Sequence, residues 1–244
     1  MKTSTEIRAE ARKALSENGQ YLRYVGAYLL LMLITVIVSI PLMGILGVGI
    51  GISGIAPYFA PGGYPEMELF LDPSVMVPLL ISVVVFSLLV IYPLGYVRWG
   101  QSAMAIATMR RGLTFGHSLS GWGHGWRMGW IIAVKFTYIN LWALLLFVPG
   151  IVKLISYAMT DFIAVDHPDW NANQCITESR RIMNGHKMQY LWLLLTFVGW
   201  FLLIAVANSL PIIGGVAQWF FLPYFHSAKA AFYEELLDND GEQQ

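Results

Sequence analysis

Between Met188 and Ala228 no Asp, Glu, Lys or Arg interrupts the chain, a run of 41 residues. One membrane span needs about 20 residues, and Ser209-Leu210-Pro211-Ile212-Ile213-Gly214 breaks this run near its middle. Just before it, Ala172, Cys175, Ile176, Ser179, Ile182 and Met183 recur at helical spacing, with Gln174, Thr177, Glu178, Arg180, Arg181 and Asn184 on the other side. This pattern predicts an amphipathic helix, opened by Asn171 with Gln174 as a capping box and stopped by Gly185. The predicted unit is an amphipathic helix, a span, a Pro–Gly turn and a returning span.

The start of the chain repeats that pattern. Thr3 with Glu6 forms a second capping box, and Ile7, Ala11, Ala14 and Leu15 make an apolar stripe beside Arg8, Glu10, Arg12 and Lys13. An interfacial helix lying on the membrane is expected there, or a soluble-side extension of the first span. Asn18-Gly19 corresponds to Asn184-Gly185, and Ser39-Ile40-Pro41-Leu42-Met43-Gly44 to Ser209–Gly214, at an offset of about 170 residues. Pro93 and Ser102-Ala103 likewise correspond to Pro223 and Ser227-Ala228.

Six spans follow from the apolar runs: about 22–47, 75–96, 128–148, 151–165 and the pair at 188–228. The third and fourth are read as a further hairpin, turned by Pro149-Gly150, with a glycine-weakened helix over 114–126 before it. Lys and Arg number 5 (counting Arg23 at the very start of span one), 4 and 3 in the segments before span one, between spans two and three, and between spans four and five. The opposite turns hold none, so both termini are placed in the cytoplasm. The expected fold is all-α, a polytopic transmembrane helical bundle of repeated amphipathic-helix and hairpin units. One membrane domain covers 1–237, with units at about 4–110, 111–168 and 169–237, and 238–244 is expected to be a disordered acidic tail.

Composition agrees: 57% of the 244 residues are hydrophobic and 12% charged, against about 25% charged in soluble domains. The net charge of zero offers no field for nucleic acid. The single cysteine, Cys175, excludes an internal disulfide and a cysteine metal cluster. The first apolar run follows a charged helix and is longer than a signal-peptide core, so no cleavable signal is expected.

A series of short motifs stands in the order of a known family: Pro149-Gly150-Ile151-Val152-Lys153, Tyr157-Ala158-Met159, Asp166-His167-Pro168, Ser179-Arg180, Gly185-His186-Lys187, Phe197-Val198-Gly199-Trp200, and Pro223-Tyr224 with Ala231-Phe232-Tyr233-Glu234. The chain resembles the bacterial integral membrane proteins of domain of unknown function 975. It is more remotely similar to the membrane domain of some glycerophosphodiester phosphodiesterases. The resemblance implies a multi-pass protein of the bacterial inner membrane and carries no activity. Asp161 departs from the family pattern, which usually has Pro there.

Lys135 and Asp161 are the sharpest candidates, because charges within spans are costly and are paired or functional. They are read as an intramembrane polar pair, with a structural ion pair, separate snorkelling and an ion-coupled site as the alternatives. Arg98, Arg110, Arg111, Arg127, Arg180, Arg181 and Lys187, interleaved with Trp122, Trp126 and Trp170, are the candidates for anionic lipid or headgroup binding. The other reading of that set is a topology signal with an aromatic belt. Lys153 is expected to snorkel toward the outer face. Gly51-Ile52-Ser53-Gly54 has the Gly-x-Ser-Gly form of rhomboid proteases, but His226 lies roughly 20 Å deeper by helical rise, out of reach of Ser53.

No catalytic set, metal site or cofactor is expected. The sequence points to a non-enzymatic protein that handles or senses an envelope component, a lipid or small solute, as a transporter-like or accessory module. The competing reading is a membrane enzyme acting on lipid headgroups at the cytoplasmic face. Membrane lipids are the expected partners, with a second copy or another membrane protein as further candidates.

Overall fold

The structure, a computed structural model, describes residues 2–52, 73–110, 112–145, 147–209 and 211–241, and all regular structure in them is helical. The order is α1 (Ser4–Ser16), a 3-10 turn (Glu17–Gly19), α2 (Gln20–Ile52), α3 (Pro73–Arg110), α4 (Gly116–Leu119), α5 (Gly125–Leu145), α6 (Phe147–Ser156), α7 (Thr160–Asp166), α8 (Ala172–Ile182), α9 (Lys187–Leu195), α10 (Val198–Ala207) and α11 (Pro211–Gly241). Among the described residues three stretches are long and apolar enough to cross a membrane: Gln20–Ile37, Val148–Asp166 and Lys187–Ala207.

Both capping boxes form. Thr3 Oγ1 accepts the Glu6 N–H while the Glu6 carboxylate accepts the Thr3 N–H, and Asn171 and Gln174 reciprocate in the same way. Gly185 adopts a φ of +83°, the left-handed conformation that ends α8.

The first helix runs antiparallel along α11: Lys2 meets Glu235, Arg8 Nε donates to Tyr224 Oη at 3.0 Å, and Tyr21 Oη donates to the Phe220 carbonyl at 2.6 Å. The expected interfacial stripe therefore faces protein. Ile7, Ala11 and Leu15 are buried, and the first two share a core with Ala228, Ala231 and Phe232 of α11. Small alanines let the two helices approach closely enough to bury both apolar faces.

Helices α2 and α3 form a long pair, with Tyr24 Oη donating to the Gln101 carbonyl at 3.3 Å. The 38 residues of α3 run about 57 Å, continuing through Pro93 and on to Arg110, well past the expected end of the span. Where α3 meets α5 the backbones touch. A Cβ at Gly95 would lie 1.9 Å from the Gly125 carbonyl oxygen, and one at Gly129 would lie 2.2 Å from that of Ile91.

The helix anticipated over 114–126 is instead the short α4 followed by turns. Gly121 sits against the Tyr96 carbonyl, and the His124 ring stacks on Trp99 at 4.1 Å, which folds this segment onto α3. Pro149-Gly150, expected as a turn, lies inside the start of α6. Pro149 occupies the first helical turn, where a missing N–H is tolerated, and a Cβ at Gly150 would lie 2.8 Å from Ala143 Cα of α5.

Two further stretches are broken helices. Tyr157–Met159 separates α6 from α7, and Thr196-Phe197 separates α9 from α10. Phe197 is fully buried against Phe221, Tyr224 and Phe225. Pro211 opens α11, which continues to Gly241. The stretch expected to be disordered from 238 is thus helical to 241, where Asp240 holds Arg181; residues 242–244 lie outside the described residues.

Candidate functional site

Lys135 sits midway along α5, and the break before α7 places Asp161 in that helix's first turn, where a carboxylate is favoured. Lys135 Nζ donates to Asp161 Oδ1, and the two residues are only 9% and 8% exposed. Three other helices converge on this pair: α3 brings Arg98, α9 brings Tyr190 and α11 brings Lys229. Together they enclose a cavity of about 190 Å³. The Lys229 ammonium lies 5.6 Å from the Phe162 ring and 5.8 Å from that of Phe225. Among the described residues neither Lys229 nor Arg98 has an ion-pair partner. The cavity wall therefore carries three cations and one carboxylate, and that carboxylate is already engaged. Such a wall favours an anion.

The seven cations singled out from the sequence separate into distinct roles. Arg98 belongs to this cavity. Arg110 grips Asp166 through two bonds of 2.9 and 2.8 Å and meets Glu234 at 2.7 Å, while Tyr233 Oη donates to Asp166. Burial works against the Arg110 charge, yet the two carboxylates hold its pKa above the ordinary value. Burial also raises the Glu234 carboxyl, partly offset by Arg110. Arg127 donates to the carbonyls of Ala164, His167 and Trp170 at 3.1, 2.8 and 2.7 Å, satisfying groups left open at the end of α7. Arg181 binds Glu178 and Asp240. These three arginines hold the fold together. Arg111 lies outside the described residues, as does Ser53.

Arg180 and Lys187 line a pocket of about 430 Å³ with Ser156, Thr177 and Asn184. Lys153 also lines this pocket, with its ammonium 4.5 Å from the Trp142 ring of α5. Ser179 of α8 is fully buried against the break between α6 and α7.

The pair at the centre was visible in the sequence, but Lys229 and Tyr190 were not. The available signal for Lys229 was its register with Phe225 and Phe232 on one face of α11. Among the described residues no three His, Cys, Asp or Glu side chains come together as metal ligands. Cys175 is buried, with Ala172 and Ile182 in the main core.

Searches of the curated proteins and of the solved structures give no match. A family model described as a protein of unknown function (DUF975) matches residues 67–240. The matched stretch is well over half of the chain and includes Arg98, Lys135, Asp161, Tyr190 and Lys229, and the chain belongs to the DUF975 family.

Proposed function

We propose that this protein crosses the inner membrane six times, with both termini in the cytoplasm, and handles an anionic envelope component by binding rather than by catalysis. The component is a phosphate-bearing lipid or a small anionic solute. The observation that carries the reading is the central cavity, with three cations to one carboxylate. Because Asp161 is bonded to Lys135, it is not free to act as a general base.

The topology draws support from which segments are tied together. Lys2 joins Glu235, Arg110 joins Asp166 and Glu234, and Arg181 joins Asp240. Each of these contacts links segments assigned to the cytoplasmic side by their positive charge. The matching capping boxes before α1 and α8 support the repeated unit.

Two experiments test this reading. Thermal unfolding in detergent should show stabilisation by phosphate or by short-chain phosphatidylglycerol, weakened by Lys229→Met; no stabilisation by either anion rejects it. For topology, Cys175 is too buried to report rapidly, so labelling starts from Cys175→Ser. A cysteine at Ser53 or Gly63 should then label from outside and one at Asp238 only from within. Labelling of the Asp238 position from outside reverses the orientation.

A further inference from the structure

A groove of about 660 Å³ lies between α1 and the pair of α10 and α11, within the ~300–1,000 Å³ of small-molecule sites. Its lining combines two chemistries: Trp200 and Leu203 of α10 with Ala217 and Phe220 of α11 give it apolar walls, and Arg8 and Arg12 of α1 add two guanidiniums. Among the described residues no acidic side chain lines it, and Arg8 donates only to the neutral phenol of Tyr224, with its guanidinium 5.4 Å from the Phe197 ring. Arg12 has no ion-pair partner among the described residues. The acids nearest on α1 are committed elsewhere, Glu6 to the capping box and Glu10 to Lys2.

We propose that this groove is a site for one anionic phospholipid of the bilayer, its acyl chain along Trp200, Leu203 and Phe220 and its phosphate at Arg8 and Arg12. Charge complementarity selects the headgroup: two guanidiniums without an acidic partner leave a local charge that a phosphate oxygen satisfies with forked, charge-assisted bonds. The apolar walls select a chain rather than a free anion, since inorganic phosphate leaves those side chains uncovered. The site is separate from the central cavity, to which α1 contributes no lining residue. It follows from the way α1 lies along α11, which supplies one wall of the groove.

The test is native mass spectrometry of detergent-extracted protein exchanged against equal amounts of phosphatidylglycerol and phosphatidylcholine. Wild type should retain phosphatidylglycerol in preference, with at least one copy still bound in Lys229→Met. Arg12→Gln should cut that preference about fivefold, while Lys13→Gln, on α1 but outside the groove, should leave it intact. Ala217→Trp should lower retention of both lipids by filling the groove, with Leu203→Trp as a second filling variant if the first does not fold. Lys229→Met should leave this lipid in place, which separates the site from the central cavity. Equal retention of the two lipids by wild type, an equal effect of Lys13→Gln and Arg12→Gln, undiminished retention in a folded filling variant, or loss of the lipid in Lys229→Met would each overturn the proposal.

Discussion

The hydroxyl of Ser179 donates to the Ser156 carbonyl at 2.9 Å, and the same oxygen accepts the Met159 N–H at 3.2 Å. One side chain from α8 thus satisfies both sides of the break between α6 and α7. That break sets where α7 begins and so where Asp161 faces the cavity. Ser179→Ala leaves two buried backbone groups unpaired, a loss of about 1–3 kcal/mol. It should lower the unfolding temperature in detergent, and Ser179→Thr should recover less than wild type because the site is fully buried. An unchanged transition in Ser179→Ala would show that the break supports itself.

Lys135 and Asp161 should fail additivity. Removing one partner of a buried pair costs about 3–5 kcal/mol because the other charge is stranded. Asp161→Asn should cost more than Lys135→Met, since it leaves Lys135, Lys229 and Arg98 facing one another, whereas Asp161 keeps the neighbouring Lys229 when Lys135 is lost. The double variant should recover part of the Asp161→Asn loss. Additive losses in chemical unfolding would indicate that the pair contributes no coupling.

The contact of α3 with α5 should be intolerant of a single methyl group. Gly95→Ala and Gly129→Ala each drive a Cβ into backbone, so both should abolish recovery of folded protein from membranes. Gly199→Ala, with open space around it, should be neutral or stabilising by up to about 1 kcal/mol, the helix-propensity gain over glycine. Size-exclusion profiles of the three variants distinguish these outcomes.

The last turn of α11 should loosen in acid. Hydrogen bonds from Arg181 hold the Asp240 carboxyl below its ordinary pKa. A carboxylate with a depressed folded pKa stabilises fully above its unfolded value, about 3.9, and loses that contribution as pH falls through the folded one. A spin label at Asp238 should therefore gain mobility below about pH 4. Because the pair is partly exposed, the change in the docked-to-loose ratio should be about fivefold at most. Arg181→Gln should remove the pH dependence; a label indifferent to pH in wild type would show that Asp240 does not hold the turn.

Local signals were the readable ones. Thr3 with Glu6 and Asn171 with Gln174 announce helix starts because every atom of a capping box lies within four residues. Lys135 and Asp161 stand out because a charge inside an apolar run has no trivial explanation. Arg98 and Lys229 escaped as cavity residues because cations at the ends of apolar runs are ordinary there, and only the convergence of α3 and α11 gives them a shared wall. Arg110, Arg127 and Arg181 read as a membrane-facing charge belt; Arg181 has a local partner in Glu178, but the contacts that fix the fold lie 56, 43 and 59 residues away, beyond any local pattern. The breaks at Tyr157–Met159 and Thr196-Phe197 carry no Gly or Pro, and tertiary contacts at Ser179 and around Phe197 decide them. The groove at Arg8 and Arg12 was hidden for the same reason, since it exists only once α1 lies on α11.

That placement of α1 also orders events during synthesis. Lys2 and Glu235 are 233 residues apart, yet the backbone N–H of one bonds to the carboxylate of the other. The ribosome therefore releases α1 long before its seat exists. Leu15 can pack early against Tyr24, Tyr28 and Met104 of α2 and α3, but Ile7 and Ala11 wait for Ala228, Ala231 and Phe232 of α11. Full seating of α1 is consequently a late step, and a truncation before Phe220 removes the α11 partners of Ile7, Arg8, Ala11 and Tyr21 together.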